Sequence, residues 1–88
     1  MATSATEEDE ILARLTRVAR SDLGLAEDVR LTIDTVLSEV VWLDSVRLMA
    51  FVEAVEAEFD IEFDIDDLSG EAVTNVGLLT GLVRGQLG

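Results

Sequence analysis

Leu48, Phe51, Val52, Val55 and Phe59 recur at i, i+3, i+4, i+7 and i+11, which on a helix puts all five on one face. That stripe predicts an amphipathic helix over residues 45–58 and obliges the chain to supply a core for it. With 88 residues the chain is the size of one small domain, in which roughly 60 to 70% of the unfolded surface is buried. The other side of the same helix carries Val46, Met49, Ala50, Glu53, Glu56 and Ala57. Its N-terminal half is therefore apolar where a solvated face calls for charge.

Two further helices are legible. Thr6-Glu7-Glu8-Asp9 reads as a capping box with acidic residues in the positively polarised first turn. Ile11, Leu12, Leu15, Val18 and Ala19 follow at helical spacing, with Arg14, Arg17 and Arg20 on the other face and Gly24 as the stop. A last helix is expected after Thr74 on Val76, Leu79, Leu82, Val83 and Leu87. Gly77, Gly81 and Gly85 weaken it by about 1 kcal/mol each relative to alanine.

The connections are less regular. Residues 25–43 have no sustained period, and a segment this long must fold back on the core or serve function. Val29, Leu31, Ile33, Val36, Leu37, Val40, Val41 and Leu43 are its candidate anchors, with a helical turn at 36–40. After Phe59, Asp60, Glu62, Asp64 and Asp66 alternate with Ile61, Phe63 and Ile65, a strand-like period without a partner strand. The segment is read as an extended loop with Ile61 and Phe63 turned inward, entering a short helix at 66–69. The expected fold is all-α: one domain over 1–88, a small four-helix bundle with a long first loop and a short third helix, with residues 1–5 outside the ordered part.

Composition narrows the function. The sequence has no cysteine and no histidine, which removes thiol nucleophiles, zinc sites and Ser-His-Asp chemistry from within the chain. Nineteen acidic and six basic residues give a formal net charge of −13, so nucleic acid and anionic membrane surfaces are unsuitable partners and basic proteins suitable ones. Between residues 44 and 71 ten carboxylates face a single arginine, Arg47, a balance of −9. The first ten residues lack the basic start and apolar stretch of a signal peptide, so a cytoplasmic protein is expected. Asp60, Glu62, Asp64 and Glu71 match positions 1, 3, 5 and 12 of a calcium loop, but position 6, which needs glycine, is Ile65. No metal site is expected, and the crowded carboxylates lack the pocket and orienting groups of acid–base catalysis, so no intrinsic enzyme activity is expected either.

Ser45 remains. Either Asp44 or Ser45 suits the N-cap of the central helix, a role worth about 1 kcal/mol. Three features suggest more. A hydroxyl there sits among free backbone N–H groups that favour a phosphate ester, the adjoining face mixes apolar and acidic residues suited to basic partners, and a long anchored loop leads into it.

The stretch LDSVRLMAFVEAVEAEFDIEF resembles the serine motif and recognition helix of acyl carrier proteins and their peptidyl and aryl carrier relatives. Leu23-Gly24-Leu25 resembles the end of that family's first helix, and Thr74-Asn75-Val76 the start of its last. The resemblance implies that Ser45 receives a 4'-phosphopantetheine arm from coenzyme A through a separate phosphopantetheinyl transferase with magnesium, with Asp44 helping to orient the complex. The arm brings its own thiol, which accounts for a cysteine-free chain, and holds cargo as a thioester. By the same resemblance Val46, Arg47, Met49, Ala50, Glu53 and Glu56 form the partner-docking face of a monomer that a ligase or acyltransferase loads and a downstream synthase or modifying enzyme unloads. Partly buried packing is the alternative for Met49. Trp42 stands where the family commonly has glycine, either narrowing the approach to Ser45 or marking a particular partner set. LDSVRLM is closer to aryl carriers and discrete carriers of specialised metabolism, such as polyketide or nonribosomal peptide assembly, than to fatty-acid carriers. The competing reading from another class is an unmodified acidic helical adaptor that binds a basic protein.

Overall fold

The computed structural model describes residues 3–64 and 70–87. Five helices follow one another: α1 (Thr3–Leu23), α2 (Leu37–Val40), α3 (Ser45–Phe59), α4 (Gly70–Thr74) and α5 (Val76–Leu87). There is no strand among the described residues, and the only extended pairing there is an isolated antiparallel bridge between Val36 and Asn75. The long helices α1, α3 and α5 with the short α4 make the expected four-helix arrangement, and α2 is the single turn anticipated within the long loop.

α1 packs on α3 and α5, and α4 on α5. Ile11, Leu15, Val18 and Ala19 of α1, Phe51, Val52, Val55 and Phe59 of α3, and Val76, Leu79 and Val83 of α5 meet in one core. The helical phases read from the sequence are those observed, except that Leu12, Leu48 and Leu82 sit at the core's edge, partly buried, and Leu87, expected on the buried face of the last helix, is exposed at the helix's final turn beyond the residues that α5 packs on the core.

Helix α1 starts at Thr3, ahead of the Thr6 box, and so takes in Thr3 to Ala5, which the sequence reading left outside the ordered part. Thr6 is therefore inside the helix and is not its cap, because nothing before it breaks helical geometry. At the other end Gly24 has φ +71, the left-handed conformation that lets the chain leave the helix.

The long loop is held by polar ties as well as by its apolar side chains. The Thr16 hydroxyl donates to the Leu12 carbonyl at 2.7 Å and accepts the Leu31 N–H at 3.1 Å. Arg20 donates to the carbonyls of Glu27 and Val29. Leu31 and Leu37 are buried, and Val29, Val41 and Leu43 partly so. Ile33 and Val40, expected as anchors, are instead exposed. The Ile33 backbone is what packs: its carbonyl oxygen runs so close to α5 that a methyl built on Gly77 would stand 2.6 Å from it. Beside it the Val76 N–H donates to the Thr35 carbonyl at 3.0 Å.

As far as Asp64 the acidic alternation after Phe59 is an extended loop, as expected, with Phe63 buried and Ile61 partly buried; Ile65 and Asp66 lie outside the described residues. Asp60 ends α3 in the left-handed conformation (φ 55, ψ 50), and the N–H groups of Asp60 and Ile61 both close on the Glu56 carbonyl. The short helix expected at 66–69 lies outside the described residues. The short helix observed in this part of the chain is α4, Gly70–Thr74.

Candidate functional site

The start of α3 is built by Asp44. Its backbone is extended (φ −127, ψ 179), and its Oδ1 accepts the Arg47 N–H at 2.7 Å. A carboxylate here also complements the positive end of the helix. Of the two residues suited to the cap, Asp44 takes the role, and Ser45 becomes the first residue of the helix. Ser45 is exposed, and no hydrogen bond engages its hydroxyl among the described residues.

Around it the surface is apolar and open. Val46 is 77% exposed and Met49 54%, so Met49 is not a packing residue. Ala50 and Glu53 are exposed on the same flank. Glu56 differs from the rest of the expected docking face: it is only half-exposed, and its Oε2 accepts the Phe63 N–H at 2.8 Å. It ties the loop after α3 to the helix. Arg47 is exposed, and its guanidinium lies over the Trp42 ring, 5.2 Å from the centroid, a cation–π stack. Trp42 itself is 69% exposed.

The opposite face of α3 is fastened to α1. Arg14 Nε donates to Glu58 Oε2 at 2.8 Å and Arg14 Nη2 to the Glu58 carbonyl at 2.6 Å, while Arg17 Nη2 reaches the same Oε2 at 2.7 Å. The Arg14 guanidinium also lies 4.3 Å from the Phe59 centroid. The hydrogen bond from Arg14 holds the Glu58 carboxyl below the usual carboxylate range. Partial burial opposes that shift, and Arg17 adds to it. These pairs span 44 and 41 residues of sequence, which is why the helical pattern, which sets Arg14 and Arg17 on the face away from the apolar stripe, does not disclose them.

A groove of about 570 Å³ between α1 and α5 is lined by Glu7, Glu10, Ile11, Arg14, Arg84 and the open flanks of Gly81 and Gly85. A second, of about 400 Å³, lies between α1 and α3 at Arg17, Ala54 and Glu58. Neither of these two contains Ser45, which is exposed together with Asp44, Val46 and Arg47. Among the described residues no group of three or more acidic side chains is placed to hold a metal ion, and no helix is long and apolar enough to cross a membrane.

A phosphoester arm needs a free hydroxyl that the fold does not use, room around it, and no carboxylate bonded to it. Ser45 meets all three, because Asp44 directs its carboxylate to the Arg47 N–H. Against known families, the model described as a phosphopantetheine attachment site matches residues 13–83, a span running from α1 to α5 with Ser45 near its middle. No curated protein matches the chain.

Proposed function

The chain belongs to the family of phosphopantetheine attachment domains, and from that premise we propose that Ser45 carries the arm and that the protein is a carrier presenting thioester-bound intermediates to partner enzymes. The observation that supports Ser45 is the division of labour at the start of α3: Asp44 caps the helix and the adjoining hydroxyl is left exposed and unbonded. In the attachment step a bond forms between Ser45 Oγ and phosphorus. The pyrophosphate P–O bond of coenzyme A breaks, adenosine 3',5'-bisphosphate leaves, and the hydroxyl proton passes to a base of the transferase.

The bound group supplies a thiol, which a chain without cysteine lacks. The protein's own residues do the rest. Asp44 fixes the first turn of α3, and Val46, Met49, Ala50 and Glu53 offer an exposed face that begins at the attachment point. Reaction partners gain from tethering, which holds the thioester at high effective concentration beside each enzyme that docks. The chain has no histidine or cysteine to perform acyl chemistry, which supports a carrier without catalysis of its own. Specialised polyketide or nonribosomal peptide assembly is the pathway we favour over fatty-acid synthesis, on the strength of the LDSVRLM segment.

Incubation with a broad-specificity phosphopantetheinyl transferase, magnesium and coenzyme A, followed by intact-protein mass spectrometry, tests the assignment. One added phosphopantetheine is expected, absent in Ser45→Ala. An unchanged mass with several transferases favours the unmodified acidic adaptor instead.

A further inference from the structure

Arg47 is the only basic residue between positions 44 and 71, a stretch with ten carboxylates, yet among the described residues its guanidinium forms no ion pair. Arg14 and Arg17 of α1, packed on the far side of α3, both pair with Glu58. The Arg47 guanidinium is instead drawn back over Trp42, which precedes the helix, at 5.2 Å from the ring centroid. Helical side chains lean toward the N-terminus, the direction in which Trp42 lies. The effect of this posture is to leave an unneutralised, fork-shaped donor at the end of α3 where Ser45 stands. The ring beneath it is held out in solvent, 69% exposed, in a protein with one tryptophan.

We propose that Arg47 and Trp42 together seat the root of the arm, with the Arg47 guanidinium pairing with the phosphodiester anion on Ser45 and the Trp42 ring fixing that guanidinium. The inference rests on Ser45 being the attachment residue. A guanidinium matches two phosphate oxygens at once, where a lysine ammonium acts as a point charge. Stacking on an aromatic face limits the freedom the arginine loses when it pairs. The exposed Trp42 ring also offers an apolar surface to the dimethyl carbon of pantetheine, which lies one methylene and one ester oxygen from the phosphorus. The pair thereby acts as a positioning device for the cargo.

Because Trp42 is the sole tryptophan, its fluorescence reports this site without labelling. The experiment compares apo and modified protein, each verified by intact mass, for the wild type, Arg47→Gln, Arg47→Lys and Trp42→Gly. It reads Trp42 emission and the ³¹P resonance of the phosphodiester at low salt and at about 1 M NaCl, where screening acts over roughly 3 Å. The expected result is an emission change on modification of the wild type that is lost in Arg47→Gln and only partly kept in Arg47→Lys. A ³¹P shift common to Arg47→Gln and Trp42→Gly, shrinking at high salt, is expected with it. Failure of Ser45 to gain the arm overturns the carrier reading and this inference together. Normal mass gain with Trp42 emission indifferent to the arm, or a ³¹P resonance indifferent to Arg47, overturns the seat alone.

Discussion

The Glu56 carboxylate accepts the Phe63 N–H at 2.8 Å, so one acidic residue on the outer side of α3 belongs to the fold while its neighbour Glu53 faces solvent. Charge reversal at the two positions therefore has different consequences. Glu53→Lys should leave stability within about 0.5 kcal/mol of wild type. It should slow modification or loading by a basic partner at low salt and flatten the salt dependence of that rate. Glu56→Lys should lower stability by roughly 1.5 kcal/mol, through loss of a hydrogen bond to a charged acceptor. Denaturant titration and rates at two ionic strengths check both, and equal stabilities for the two variants would remove the distinction.

Phe51 is fully buried in the middle of α3, and Phe59 nearly so. Phe51→Ala should cost about 3 to 5 kcal/mol as a large-to-small core change. Leu48→Ala, at the partly buried edge, should cost clearly less. Urea unfolding followed by circular dichroism measures the two, and the reverse order would mean that the helix is rotated from the phase described.

The three glycines of α5 separate by their surroundings. Gly81 and Gly85 have nothing within 4 Å of an added methyl, so alanine there should stabilise by about 0.5 to 1 kcal/mol through helix propensity. At Gly77 the same methyl meets the Ile33 carbonyl oxygen at 2.6 Å, and Gly77→Ala should destabilise by forcing the loop off α5. Thermal melts of the three single variants read the signs directly. A stabilised Gly77→Ala would contradict the close approach.

Glu58 carries a pH dependence of known sign. Its folded-state pKa is lowered, chiefly by the Arg14 hydrogen bond, relative to about 4.3 in an unfolded chain. The stability it contributes is therefore fully present above that unfolded value and is lost as pH falls through the lower folded value. Wild type should be more stable than Glu58→Gln by a constant margin from about pH 7 to 5.5, and the margin should close below about pH 4. Urea midpoints for both proteins across that range supply the test, and a margin that does not change with pH would count against the pairing.

Much of this fold can be read from local pattern. The stripes Ile11–Leu15–Val18, Phe51–Val52–Val55–Phe59 and Val76–Leu79–Val83 each declare a helix and its buried face, because helical period is a property of neighbouring residues alone. The inward turn of Phe63 was legible for a similar reason: an alternating segment with no partner strand has one side to bury. Ile33 and Val40 were not legible, since apolar character does not say whether a loop residue packs its side chain or its backbone.

The candidate site divides in the same way. A serine at the head of an apolar helix, in an acidic chain with no cysteine or histidine, is a fact of the sequence, and with it comes the outward face of Val46 and Met49. Whether Asp44 or Ser45 caps that helix depends on which residue holds the extended backbone, and only the folded chain decides it. Folding also decides that Glu56 is engaged and Glu53 is not, that Glu58 draws in two arginines from more than forty residues away, and that Arg47 turns from the surrounding carboxylates to Trp42. Periodic burial is determined one helix at a time. Polar pairing depends on which groups the packed helices bring within about 3 Å of each other, a quantity that exists only in three dimensions.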